Sequence, residues 1–220
     1  MRTLTKEFRA ELTPADMLRV LLAGNARFAA NLKANRDFQQ QVQATANGQF
    51  PGAVILRCMD SRTGVELVFD QGLGDLFSIR VAGNVVSQDV LGSIEYAVAA
   101  AGVKLVMVLG HTACGAVAGA CDKVRMGNLT GTLDRIQPAI ARVPCGTGDP
   151  ATYKDRVAAA NVCVSIDDII TQSPIVRERL ASGEVGLAGA MYNVSTGKVD
   201  VINACAYVRE AAPAAEALHI

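Results

Sequence analysis

From Gly52 onward, short unbroken apolar runs alternate with longer helical stretches, which restricts the chain to an α/β fold with a mainly parallel central sheet and flanking helices. Ala53-Val54-Ile55-Leu56 reads as a first buried strand, Leu76-Phe77-Ser78-Ile79 as a second, and Lys104-Leu105-Val106-Met107-Val108-Leu109 as a third, ended by Gly110. Helices are expected around 63–70 and 88–101, at 114–126 directly after the third strand, and at 131–142, 154–171 and 174–182. Val185 to Val194 and Lys198 to Asn203 flank the turn signal Ser195-Thr196-Gly197, which predicts a C-terminal hairpin with one antiparallel strand at the sheet edge.

Ahead of the sheet, Thr13-Pro14-Ala15-Asp16 reads as a helix start, with a capping hydroxyl, proline at the first helical position and an acid in the first turn. Met17, Leu18, Leu21, Leu22, Asn25 and Phe28 then recur at helical spacing, so this arm needs either its own core or a second protomer to pack against. The expected organisation is a single domain over 1–220, with a helical arm in 1–35 and an α/β core in 50–204. The glutamine-rich stretch Arg36 to Phe50 is read as loop or short helix, and the Ala-rich tail 205–220 as helical apart from Pro213.

The 220 residues are 50% hydrophobic, enough for a full core. Lys+Arg and Asp+Glu both number 21, so no basic field is available to hold nucleic acid or an anionic membrane surface. No apolar run approaches the ~18 residues of a membrane span. Met1 to Arg9 is interrupted by charge and lacks the pattern of a secretory signal, so the expected location is the cytoplasm. In a reducing compartment, thiols at special spacings point to metal or catalysis in preference to disulfides.

Two polar clusters stand at strand ends. Cys58-Met59-Asp60-Ser61-Arg62 follows the first strand and His111-Thr112-Ala113-Cys114 follows the third. In open parallel sheets, ligands bind beyond the carboxyl ends of the strands, where such clusters can meet. Two thiolates and one imidazole, Cys58, Cys114 and His111, make a three-ligand set for tetrahedral Zn²⁺ with the fourth position open, the catalytic pattern. A structural site more often uses four Cys/His ligands, and the chain's only other histidine is His219. Cys114 is expected in the first turn of a helix, where the dipole favours thiolate. Asp60 and Arg62 can form a bidentate pair in which Asp60, fixed by Arg62, accepts a hydrogen bond from the attacking hydroxide. The same carboxylate could instead bind the metal and close the site. Cys121, Cys145, Cys163 and Cys205 are expected to be core thiols.

In this order, the Cys-x-Asp-x-Arg and His-x-x-Cys signatures resemble those of the β-class carbonic anhydrases. So do Glu66 to Phe77, Arg80, Ala82-Gly83-Asn84, Ser93 to Val98 and Gly110 to Gly115. The resemblance implies zinc-dependent interconversion of carbon dioxide and bicarbonate by a homodimer or dimer of dimers, with active sites in clefts at the dimer interface. By position, Gln49 resembles the glutamine whose amide binds substrate, and Phe77 and Tyr96 resemble aromatic residues lining the pocket. Arg57 stands where a small residue is usual, Thr63-Gly64 where Val-Pro is frequent and Val81 where asparagine is common. Ile55 occupies the position of a tryptophan found in bicarbonate-inhibited members. A buried Arg57 needs a carboxylate or carbonyl partner. Two other readings stand beside this one: hydrolysis of carbonyl sulfide or carbon disulfide at the same site, and a closed, non-catalytic zinc-binding protein. Retention of Asp60 and Arg62 counts against the latter.

Overall fold

The computed structural model describes residues 3–144, 146 and 148–209. Its sheet has the order β2-β1-β3-β4-β5, formed by β1 (Ala53–Arg57), β2 (Leu76–Arg80), β3 (Leu105–His111), β4 (Gly186–Tyr192) and β5 (Val199–Tyr207). The first four strands are parallel and β5 runs antiparallel to β4, as the hairpin signal predicts. β1 and β3 are buried along their whole length, because helices cover both faces of the sheet. Their side chains alternate between two cores. Ile55, Met107 and Leu109 face one, and Val54, Leu56, Val106 and Val108 face the other.

The first face is covered by α2 (Pro14–Ala29), which follows α1 (Lys6–Glu11). Thr13 and Asp16 close a full capping box at its start. Met17 and Leu21 are fully buried against the sheet, each contributing about 1.5–3 kcal/mol. The arm therefore packs on its own core. Buried Asn25 ties it to the hairpin, donating to the Val68 and Gly197 carbonyls (3.1 and 2.9 Å) and accepting from the Val199 N–H (2.8 Å). The stretch read as loop or short helix contains α3 (Phe38–Thr45).

α4 (Val65–Val68) is shorter than the 63–70 expected, and α5 (Gln88–Glu95) continues as a wider-pitched turn over Tyr96–Ala100. α6 (Gly115–Cys121) ends before 126 because Lys123 turns left-handed, at φ 55°. The single helix expected at 131–142 is two, α7 (Leu129–Asp134) and α8 (Gln137–Arg142). Pro138 supplies the reason, since it lacks an N–H and is tolerated only in a helix's first turn. α9 (Tyr153–Gln172) and α10 (Pro174–Ser182) agree with expectation, and α9 covers the second face through Val162, Ile166 and Ile169.

Two expectations at the C-terminal end are corrected. β5 runs through Cys205 to Tyr207, so the tail does not turn helical at 205; residues 210–220 lie outside those described. Cys163 and Cys205 are not core thiols but a disulfide, formed where α9 packs on β5 with Cα atoms 5.3 Å apart. Cysteine usage therefore no longer argues for a reducing compartment. Cys145 lies outside the described residues, and Cys121 is half-buried. No helix among the described residues is long and apolar enough to cross a membrane.

The loop after α2 is anchored by Asp70, 2% exposed in its side chain, which pairs with Arg27 (2.6 Å) and Arg36 and accepts from the Ala34 N–H (3.1 Å). Burial pushes the Asp70 carboxyl up, but Arg27, the Ala34 N–H and Arg36 together outweigh it and the net direction is down. Its stabilisation is therefore present above the unfolded carboxylate pKa and is lost as pH falls through the folded value. Asp70→Ala should cost about 3 kcal/mol, since it removes the carboxylate that Arg27 and buried Arg36 share. Urea titration at pH 7 and pH 3 checks both points: the deficit should be large at pH 7 and smaller at pH 3.

Candidate metal centre

The chain leaves β1 toward β2 on one side and later enters β3 on the other, so the carboxyl ends of β1 and β3 flank a topological switch point. Cys58 is the first residue after β1 and His111 the last of β3. Cys114 follows three residues later at the N-cap of α6, just ahead of the first turn where it was expected. The two sulfurs and an imidazole nitrogen all lie within 4.8 Å of one another, and the three residues are 5%, 1% and 4% exposed for Cys58, His111 and Cys114. This group could hold a metal ion.

His111 Nδ1 lies 2.9 Å from the Thr112 carbonyl, which can only accept, so Nδ1 carries the proton. Nε2 then offers a bare lone pair and has no hydrogen-bond partner, although it is buried. A buried acceptor lone pair beside two thiols is a donor set that fits a soft or borderline cation. The Cys114 thiol donates to Cys58 Sγ across 3.9 Å. That bond pulls the Cys58 thiol well down, against burial and helped by the neighbouring His111 imidazole and then by the N–H of Gly83. The same bond, with burial, pushes Cys114 up.

Asp60 is gripped by Arg62 on three contacts, Nε to Oδ1 at 2.9 Å, Nη2 to Oδ2 at 2.8 Å and the backbone N–H to Oδ1 at 2.9 Å. The guanidinium holds the carboxyl far below the usual range, so Asp60 is ionised at any working pH. Asp60 is turned to Arg62 and stands outside the three-donor group.

Arg57, 2% exposed, finds carbonyl and hydroxyl partners and no hydrogen-bonded carboxylate. It donates to the Cys58 carbonyl (3.3 Å), Thr63 Oγ1 (3.0 Å) and Ser78 Oγ (3.3 Å). Burial lowers its pKa. Thr63, where Val-Pro is frequent, supplies the hydroxyl that accepts from Arg57 and donates to the Asp60 carbonyl at 2.9 Å. The two departures thus answer each other across the Cys58–Thr63 loop.

A sequence profile described as Carbonic anhydrase matches residues 53–199. The chain belongs to the β-carbonic anhydrase family. It is similar to Carbonic anhydrase 2 of Mycobacterium tuberculosis, with 36% identity over 191 residues, covering 84% of this chain and 91% of that one. Among solved structures, the β-carbonic anhydrase CafA of Aspergillus fumigatus superposes with a TM-score of 0.69 at 28% identity, over 86% of this chain and 92% of that one. A tetrameric β-carbonic anhydrase from Sordaria macrospora gives 0.67 at 25% identity, over 86% and 98%.

The three substrate residues that the family resemblance suggests do not join the cluster in this β-carbonic anhydrase chain. Gln49 is exposed beside Gly74, ahead of β1 and β2, at the amino ends of the strands. Phe77 pairs with Val54 near the same end, and Tyr96, 61% exposed, lies beside it with ring centroids 6.2 Å apart. The length of β1, about 13 Å at ~3.3 Å per residue, separates this edge from Cys58.

Sequence reasoning also missed a hydrogen-bonded support. The Gly83 N–H donates to Cys58 Sγ at 3.3 Å, and the Gly83 carbonyl accepts from buried Asn161 of α9 at 2.7 Å. Gly83 has φ 68°, so its place in the quoted Ala82-Gly83-Asn84 run was the available signal. Gly83→Ala should cost about 1–2 kcal/mol through the left-handed backbone. Urea denaturation checks this. The displaced N–H should also leave the Cys58 thiol less acidic, so its alkylation in metal-free protein should slow at low pH.

Proposed function

We propose that this chain catalyses the reversible hydration of carbon dioxide to bicarbonate and a proton, with zinc held by Cys58, His111 and Cys114. The observation that carries the reading is the buried three-donor group, with His111 Nε2 lacking a hydrogen-bond partner, near an ionised Asp60 in a chain of this family. The donors fit the ion. Two thiolates at ~2.3 Å from a tetrahedral zinc sit about 3.8 Å apart, and here the sulfurs are 3.9 Å apart.

Zinc bound there supplies a Lewis acid that lowers the pKa of water, less strongly than with three neutral imidazoles because two thiolates cancel its charge. Arg62 saturates one side of the Asp60 carboxylate and fixes its direction. So held, Asp60 would accept a hydrogen bond from the attacking oxygen and orient its lone pair toward carbon dioxide. His111 is committed as a ligand, so the released proton passes to buffer or to other side chains.

Stopped-flow hydration by zinc-loaded protein between pH 6.5 and 9 should rise with pH and with buffer concentration. Asp60 stays ionised throughout, so the rise belongs to the water. Cys114→Ser should abolish it, and Asp60→Asn should lower kcat at least about 100-fold. No hydration at any pH despite stoichiometric zinc would overturn the reading and direct the assay to carbonyl sulfide.

We further infer that Gln49, Phe77 and Tyr96 serve the site of a second protomer. Their distance from their own Cys58, their exposure and the tetrameric state of the Sordaria relative support this. Cys114→Ser and Gln49→Ala proteins, each impaired alone, should regain up to about a quarter of wild-type activity when refolded together, since half the dimers would be hybrids with one intact site of two. No recovery in verified hybrids would place Gln49 outside the partner's site.

A further inference from the structure

Ala113, between His111 and Cys114, has φ 54°. A residue with a Cβ pays about 1–2 kcal/mol for that left-handed conformation, so something must hold it. Two contacts do. Its N–H donates to Asp155 Oδ1 at 2.8 Å, from the first turn of α9. Its carbonyl faces Arg62 Nη2 at 3.5 Å, the nitrogen that also grips Asp60 Oδ2. The peptide groups of Ala113 are thus fixed from one side by a carboxylate distant in sequence and from the other by the Asp60–Arg62 pair.

The backbone at Ala113 sets the direction in which the chain enters Cys114. At an ordinary negative φ, the Cys114 sulfur would swing off its position 3.9 Å from Cys58, and the carbonyl would leave Arg62. We propose that Asp155 is a positioning residue of the metal centre, whose carboxylate holds Ala113 left-handed and so fixes both the Cys114 sulfur and the docking of Arg62. This rests on the reading that Cys58, His111 and Cys114 bind zinc. The neighbouring Lys154 of α9 pairs with Asp122 at 2.7 Å, but both side chains are about half exposed, so that link is weak and provides a control.

The test compares Asp155→Ala, Asp155→Asn and Lys154→Met with wild type in zinc affinity, by competition with a chromophoric chelator, and in the thiolate-to-metal charge-transfer band of the cobalt-substituted protein. Asp155→Ala should weaken zinc affinity by about 10–100-fold and shift the cobalt band. Asp155→Asn keeps an acceptor oxygen and should stay within a few-fold of wild type, and Lys154→Met should match it. If Asp155→Ala does not fold, Asp155→Glu, which keeps the charge but displaces the oxygen, should show an intermediate loss. Wild-type affinity and an unshifted band in Asp155→Ala, or in Asp155→Glu where that variant replaces it, would overturn the proposal, as would an equal loss in Asp155→Asn. Failure of wild type to bind zinc would instead sink the underlying reading.

Discussion

The register between β1 and β3 is the constraint on which the site depends. Arg57 pairs with Leu109, so Cys58 and His111 emerge from neighbouring strands almost side by side. Nothing polar sets this register. It is set by Ile55 and Met107 on one face and Leu56 and Val108 on the other, and a slip of one residue would send each to the wrong core. Side chains that never touch a ligand therefore determine where the ligands stand. The crossing of the chain to opposite sides of β1 then opens the space between the loops.

Placing charge at the ends of two fully buried strands has an electrostatic cost, and the surrounding loops are built around offsetting it. A desolvated guanidinium at Arg57 would cost several kcal/mol without partners. The Cys58 carbonyl and the Thr63 and Ser78 hydroxyls provide them and tie down the loop that carries Asp60. Gly83, Asn84 and Ala113 all adopt positive φ near the thiols. Each is held from α9, by Asn161, Ser165 and Asp155 respectively. Strained backbone of this kind persists only where its surroundings over-determine it. α9 is thus both the cover of one sheet face and the support of three site loops.

The sequence made visible whatever arises from a local pattern. Ala53 to Leu56 and Leu105 to Leu109 announce buried strands by unbroken apolarity, and Cys58, Asp60, Arg62, His111 and Cys114 announce chemistry by standing where those runs stop. Thr13-Pro14-Ala15-Asp16 announces its helix because every element of the cap is local. What stayed hidden depends on contacts distant in sequence. Cys163 and Cys205 are 42 residues apart and meet only because α9 crosses β5, which no spacing rule reports. The ladder with β4, and not its own composition, carries β5 through the Ala-rich stretch to Tyr207. Asp155 reads as an ordinary first-turn acid until the fold brings it to Ala113.

The separation of donors from the expected substrate residues follows from the same topology. Parallel strands send all their loops of one kind to one edge, so residues before β1 and early in β2 cannot reach the edge where Cys58 and His111 stand. No loop rearrangement within one chain closes a gap the length of a strand. A two-fold partner would close it if its sheet presented the amino edge to this carboxyl edge. Exposed Leu32 after α2, and Phe38 and Val42 in α3, would give such a partner apolar surface to cover. On this reading the metal donors can assemble within one chain, whereas the substrate pocket requires two. Subunit association would then control catalysis through Gln49, Phe77 and Tyr96 while leaving the metal centre intact.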